Sequence, residues 1–182
     1  MTNAWHDVPW STGVEGQVHA IIEIPEGSKV KYEMHKPTGL LIADRVLYSA
    51  VHYPANYGFI PQSYGRDGDP LDILVLCQQP LAPLTIARAR PIGVMKMRDE
   101  KGEDDKIIAA HVDDPQFSHL REISEVAEHW TAELRRFFLD YKLLEKKEVT
   151  VEEMLGRTDA ERIIREALQL YETKKQELRA SH

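Results

Sequence analysis

The chain places three carboxylates within six residues, Asp67-Gly68-Asp69-Pro70-Leu71-Asp72, and then runs directly into the apolar segment Ile73-Leu74-Val75-Leu76. Two ionised carboxylates about 4 Å apart repel by roughly 4 kcal/mol at an effective dielectric near 20. A fold that holds three together must protonate some of them, solvate them or bring in cations. Glycine shapes and proline stiffens the backbone between the acids, so they do not splay apart easily. The stretch therefore reads first as a hard-cation site beside a strand. Asp-Gly and Asp-Pro pairs are also ordinary turn chemistry, and taken alone the stretch serves either purpose. An EF-hand loop starting at Asp67 fails, because its sixth and twelfth positions are Asp72 and Gln78 rather than Gly and Glu. A nucleophilic Asp-x-Asp is disfavoured as well: such a pair follows a buried strand, whereas polar Gln62-Ser63-Tyr64-Gly65-Arg66 comes first here.

At 182 residues and 42% hydrophobic content, the chain is expected to form one domain over residues 1–182, burying roughly two-thirds of its unfolded surface. No apolar run approaches the ~18 residues of a membrane span. The N-terminal stretch with Trp5, His6, Asp7, Pro9 and Trp10 lacks the basic and apolar regions of a signal peptide. The expected setting is cytoplasmic, without a membrane partner. The single cysteine, Cys77, leaves no internal disulfide and is expected to be a buried thiol. A net charge of -7 argues against nucleic acid, which needs a basic surface. An anionic substrate stays open if metal ions invert the local field. The eight histidines form neither His-x-His nor His-Glu-x-x-His, so zinc is not expected.

Residues 17–112 read as short strands punctuated by Pro and Gly. Residues 18–24 alternate loosely and stop at Pro25. Val30-Lys31-Tyr32-Glu33-Met34 alternates cleanly, which puts Lys31 and Glu33 on one face, by itself an ordinary solvated one. Residues 40–48 carry the charged pair Asp44-Arg45 amid apolar neighbours, and an inward Arg needs an anion. Tyr53 and Tyr57 lie in a turn-rich aromatic segment, core pieces or hydroxyl donors. A strand over residues 85–94, from which Gly93 to Met97 leads on, and a strand over residues 107–112 flank Asp99-Glu100-Lys101-Gly102-Glu103-Asp104-Asp105-Lys106, a hairpin tip with five acids. Beyond Asp113 the period becomes helical. Val126, Trp130, Leu134, Phe137, Phe138, Tyr141 and Glu145 form a stripe over residues 124–146. Thr158-Asp159-Ala160-Glu161 matches a capping box that starts a final helix with Ile163, Ile164, Ala167 and Tyr171 on its apolar face. The layout is α+β: a β-rich body curling into a small barrel, then helices.

Two acidic clusters beside strand ends hold more charge than a dry site tolerates, and oxygen-only donors point to several Mg2+ or Mn2+ ions. Such an array suits phosphoryl transfer to water, with metals lowering the pKa of the water and Arg and Lys binding phosphate. The chain resembles the family I soluble inorganic pyrophosphatases, bacterial type. The carrying motifs, in the family's order, are Ile22-Glu23-Ile24-Pro25, Lys31-Tyr32-Glu33, Asp44-Arg45, Tyr53-Pro54-Ala55-Asn56-Tyr57-Gly58, the Asp67 to Asp72 signature, Pro91-Ile92-Gly93-Val94, Gly102-Glu103-Asp104-Asp105-Lys106 and Tyr141-Lys142.

The resemblance implies a five-stranded OB-like β-barrel with flanking C-terminal helices and Mg2+-dependent hydrolysis of diphosphate, which would remove diphosphate released by biosynthesis. It also implies a homo-oligomer, a hexamer. Carried over, Asp67, Asp72, Asp99 and Asp104 would bind metal, with Glu33 and Glu100 assisting through waters. Asp69 would be the general base. Lys31, Arg45, Tyr57, Lys106, Tyr141 and Lys142 would hold phosphoryl oxygens, and Glu23 and Tyr53 would line the site. Residues through about Gly16 and after Lys146 carry no motif. The competing readings are an OB-like nucleic-acid module, disfavoured by scattered basic residues, and a hydrolase of nucleoside or sugar diphosphates.

Overall fold

The apolar run after Asp72 becomes strand β5 (Asp72–Leu76), buried on both faces. Leu74 and Leu76 join a core beneath the first helix, while Ile73 and Val75 join a second core beneath the last helix. A near-continuous apolar sequence is what a strand covered on both sides requires. In the computed structural model, which describes residues 3–180, β5 is one member of a ring with β1 (Val18–Ile24), β4 (Asn56–Phe59), β6 (Ile86–Asp99) and β8 (Lys106–His111). The order is β1-β4-β5-β8-β6, and β6 closes back on β1. These five strands form the small closed barrel expected. The β5–β8 pair is parallel and the other four are antiparallel.

Strands β2 (Val30–Met34) and β3 (Leu41–Val46) form a separate hairpin. A short β7 (Gly102–Glu103) turns back on the end of β6. Helix α1 (Glu128–Asp140) buries Leu134, Phe137 and Phe138, as the stripe predicts, but ends before Glu145, which stands in a separate 3-10 turn over Leu143–Glu145. Two elements differ from expectation. Strand β9 (Thr150–Gly156) pairs with β6, where no strand was expected. Helix α2 (Arg157–Ala180) then follows with no loop, one residue earlier than the capping box places it. The cap comes from elsewhere: the Arg157 N–H donates to Glu122 Oε2 at 3.1 Å, and Glu161 pairs with the Arg157 side chain instead of reaching back to Thr158. Cys77 lies just past β5 and is half-buried rather than buried.

Register irregularities punctuate the strands at the functional positions. Ile22 and Ile24 oppose the successive residues Gly58 and Tyr57, so Glu23 is an extra residue in β1. Lys31 and Tyr32 oppose Arg45 and Ala43, which makes Asp44 the extra residue in β3. An inserted residue bends a strand and re-aims a side chain out of the ladder.

Candidate active site

Parallel pairing of β5 with β8 sets Asp72 beside Lys106 in register. The Lys106 ammonium, only 2% exposed, donates to Asp72 Oδ2 at 2.5 Å and to Asp104 Oδ1. It also lies over the rings of Tyr57 and Phe138. Burial alone would lower its pKa, but Asp72 and Asp104 hold it well above the ordinary lysine value. The carboxylate values rise as well, and there the rise favours the neutral form. Burial, reinforced by Asp72 and Asp104, pushes Asp67 up to about 6, and burial likewise raises Asp72 despite Lys106.

The loop before β5 shapes this cluster. Gly68 sits at φ +89°, a left-handed conformation that a side chain disfavours. The Asp69 N–H donates to Asp67 Oδ1 at 3.2 Å and the Gly65 N–H to the Asp69 carbonyl at 2.7 Å. Asp69 itself faces two ammonium groups, Lys36 at 2.6 Å and Lys101 at 3.2 Å. Burial would raise its pKa, yet these lysines outweigh it and hold the carboxyl below the usual value. Asp99, at the end of β6, accepts from Lys142 at 2.7 Å and is lowered by that contact against the effect of burial.

From the hairpin come Lys31 and Glu33, paired with one another, and Arg45, whose Nε donates to Asp44 at 2.7 Å. The inserted Glu23 accepts the Met34 N–H at 2.7 Å, and burial pushes its carboxyl up to about 8. Tyr57 and Tyr141 are buried, which drives both phenols above their ordinary values. These side chains surround one cavity of about 680 Å3, whose wall includes every residue singled out from the sequence except Tyr53. Tyr53 does not line it. Its ring lies behind Tyr57, with centroids 5.4 Å apart, and against Phe137 at 4.8 Å, so it supports the wall from the core.

Four contributors were not anticipated. Lys36, Lys101 and Lys147 line the cavity, and Glu145 pairs with Arg45 from behind. Only Glu145 had a signal: an acid on an apolar stripe is out of place there.

The wall carries eight acids and seven Lys or Arg side chains. Among the described residues no three acidic, imidazole or thiol groups converge closely enough to hold a metal ion, because ammonium groups stand between the carboxylates. The donor chemistry nonetheless fits hard divalent cations. It is carboxylate oxygen throughout, and burial disfavours the charged forms of Asp67 and Asp72, a cost that added positive charge would offset.

The inorganic pyrophosphatase family profile matches residues 20–172. The chain is 48% identical over 171 residues to soluble inorganic pyrophosphatase 2 of Chlamydomonas reinhardtii, covering 94% of this chain and 89% of that protein. It is 51% identical over 167 residues to the soluble inorganic pyrophosphatase of Oryza sativa subsp. indica, covering 92% and 78%. Among solved structures, the inorganic pyrophosphatase of Thermus thermophilus superposes with a TM-score of 0.90 at 37% identity, covering 94% of this chain and 99% of that one. With the barrel, the acid-lined cavity and these likenesses in place, the chain belongs to the inorganic pyrophosphatase family.

Proposed function

We propose that this chain hydrolyses inorganic diphosphate to two phosphates in the acid-lined cavity, with Mg2+ as the ion used and Mn2+ as a substitute. Divalent cations, when bound, supply the charge that neutralises diphosphate and lower the pKa of the attacking water. Asp67, Asp72, Asp99 and Asp104 hold them, and Glu33 and Glu100 act through water. Asp69 takes a proton from the water as its oxygen adds to one phosphorus and the bond to the bridging oxygen breaks. Lys36 and Lys101 hold Asp69 in the ionised form that a proton acceptor needs. Lys31, Arg45, Lys106 and Lys142 bind phosphoryl oxygens, joined by the Tyr57 and Tyr141 hydroxyls, which stay protonated and donate. Glu23 and Tyr53 support this wall.

The observation that carries this reading is the convergence of carboxylates from two separate loops, the one before β5 and the one between β6 and β8, on a single wall with phosphate-binding cations. Phosphate release from diphosphate, measured with Mg2+ and with a chelator beside a nucleoside diphosphate, is the test. The expected result is Mg2+-dependent release from diphosphate alone. Release only from the nucleotide, or none from diphosphate, would refute it. The activity removes diphosphate that biosynthetic reactions release, and its setting is the cytoplasm. In support, the curated relatives quoted above are named soluble and no described helix is long and apolar enough to cross a membrane. One domain over residues 1–182 and a homohexamer complete the reading.

A further inference from the structure

Arg45 reaches the cavity wall with two of its five N–H donors already engaged. Its Nε donates to Asp44 at 2.7 Å, and its Nη1 pairs with Glu145 Oε2. No hydrogen bond engages Nη2 among the described residues. A guanidinium gripped on two edges can present only the remaining edge, so these two carboxylates decide where the fork points. Asp44 is the neighbouring residue in the chain. Glu145 is 100 residues away, and its side chain is 8% exposed, against 24% for Arg45. It is delivered by the 3-10 turn that follows Lys142, and Lys146 at φ +58° closes that turn. Its second oxygen, Oε1, is buried without a hydrogen-bond partner among the described residues. Leaving a buried carboxylate oxygen unpaired is unfavourable, and besides Arg45 the side chain meets only the more distant Lys147 ammonium, at 3.9 Å, among the ion pairs of the described residues.

We propose that Glu145 is a positioning residue for Arg45: it orients the guanidinium so that its free edge faces the phosphoryl oxygens of diphosphate. This rests on the reading of Arg45 as a phosphate-binding side chain. Glu145 touches no substrate. Its effect passes through Arg45 and is absent without it.

The test is a double-mutant cycle of Glu145→Gln and Arg45→Ala, with phosphate release followed over a range of diphosphate concentrations at saturating Mg2+. Glu145→Gln is expected to raise KM about tenfold while kcat changes by less than about threefold, because an interaction serving substrate alignment is lost and the chemistry is not. In the Arg45→Ala background the same change is expected to shift KM by less than about twofold, the signature of two residues acting as a unit. A purely structural role would lower Tm and act equally in both backgrounds, and that outcome overturns the inference. So does a KM that stays within about twofold of the parent, or one that falls, which would make Glu145 a competitor of substrate for Arg45. Should Glu145→Gln not fold, Glu145→Asp is read by the same criteria. If the parent chain releases no phosphate from diphosphate, this inference and the proposed function fall together; if it does and the cycle is additive, only this inference falls.

Discussion

Asp69 differs from its neighbours in what touches it. Asp67 and Asp72 are pushed up by burial, with neighbouring acids adding to it, whereas Asp69 sits between Lys36 and Lys101 and is pulled down against its burial. One motif thus carries two kinds of carboxylate: acids whose charged form burial disfavours, and one whose charged form two lysines favour. Asp69→Asn is expected to lower kcat by about 10²–10⁴-fold, the range for loss of a general base, while the Mg2+ concentration for half-maximal activity stays near that of the parent. Equal losses of Mg2+ affinity in Asp69→Asn and Asp72→Asn, measured by titration, would contradict this division. The three acids were legible because they lie within six residues, although Asp-Gly and Asp-Pro alone also read as a turn and the second acidic cluster was needed to decide. Lys36 was not legible. It follows His35 and precedes Pro37 in a hairpin turn, where a lysine reads as solvated, and only the fold of β2 and β3 carries it onto Asp69.

The elements place the site through close approaches that a side chain would obstruct. Gly58 in β4 lies so near β1 that an added Cβ would stand 1.8 Å from the Ile21 carbonyl oxygen. Next to it are the inserted Glu23 on one strand and Tyr57 on the other. Gly58→Ala is therefore expected to destabilise the chain by about 1–3 kcal/mol through forced separation of β1 and β4. Thermal denaturation should show a Tm loss of about 2–4 °C per kcal/mol at this chain length, and an unchanged Tm would show that the strands give way freely. Barrel strands were readable because their apolar content matched their burial, β5 above all. Strand β9 was not, because Glu152-Glu153 breaks its alternation and its pairing slips: Met95 and Met97 oppose Met154 and Val151, with one residue between the first pair and two between the second. Helix α2 was found by its stripe but mis-started by one residue, since its cap comes from Glu122, 35 residues away. A long-range partner leaves no local pattern.

Across the whole molecule, charge of alternating sign runs along the cavity wall and just behind it: Lys31 beside Asp44, Asp44 beside Arg45, Arg45 beside Glu145, Lys147 between Glu145 and Glu100, and Lys142 between Glu100 and Asp99. The metal-free fold is balanced by protons as well as by lysines, and this gives its stability a direction with pH. Asp67 at about 6 and Glu23 at about 8 lie above their ordinary values of 3.8 and 4.5, so the folded state binds their protons more tightly than the unfolded chain does. That contribution is complete below the unfolded values and is lost as pH climbs through 6 and then 8. The depressed acids Asp69 and Asp99 act oppositely, and their contribution is lost as pH falls below the ordinary carboxylate range. In a chelator, Tm is expected to decline from pH 5 to pH 9, and Mg2+ is expected to restore it most at the alkaline end, where the ligands are ionised. A flat or rising Tm in chelator over that range would contradict the burial of these acids. The N-terminal segment, which carries no motif, joins this system through Trp5. Its indole is fully buried, donates to the Ser63 carbonyl at 2.8 Å and lies 5.1 Å beneath the Lys36 ammonium that holds Asp69. Trp10 and Trp130 do not line the cavity. The molecule therefore contains its own optical gauge: an event that draws Lys36 away from Asp69 changes the position of a positive charge near one enclosed indole. The Trp5 share of the emission, isolated by replacing Trp10 and Trp130 with Phe, is expected to register it without an added label.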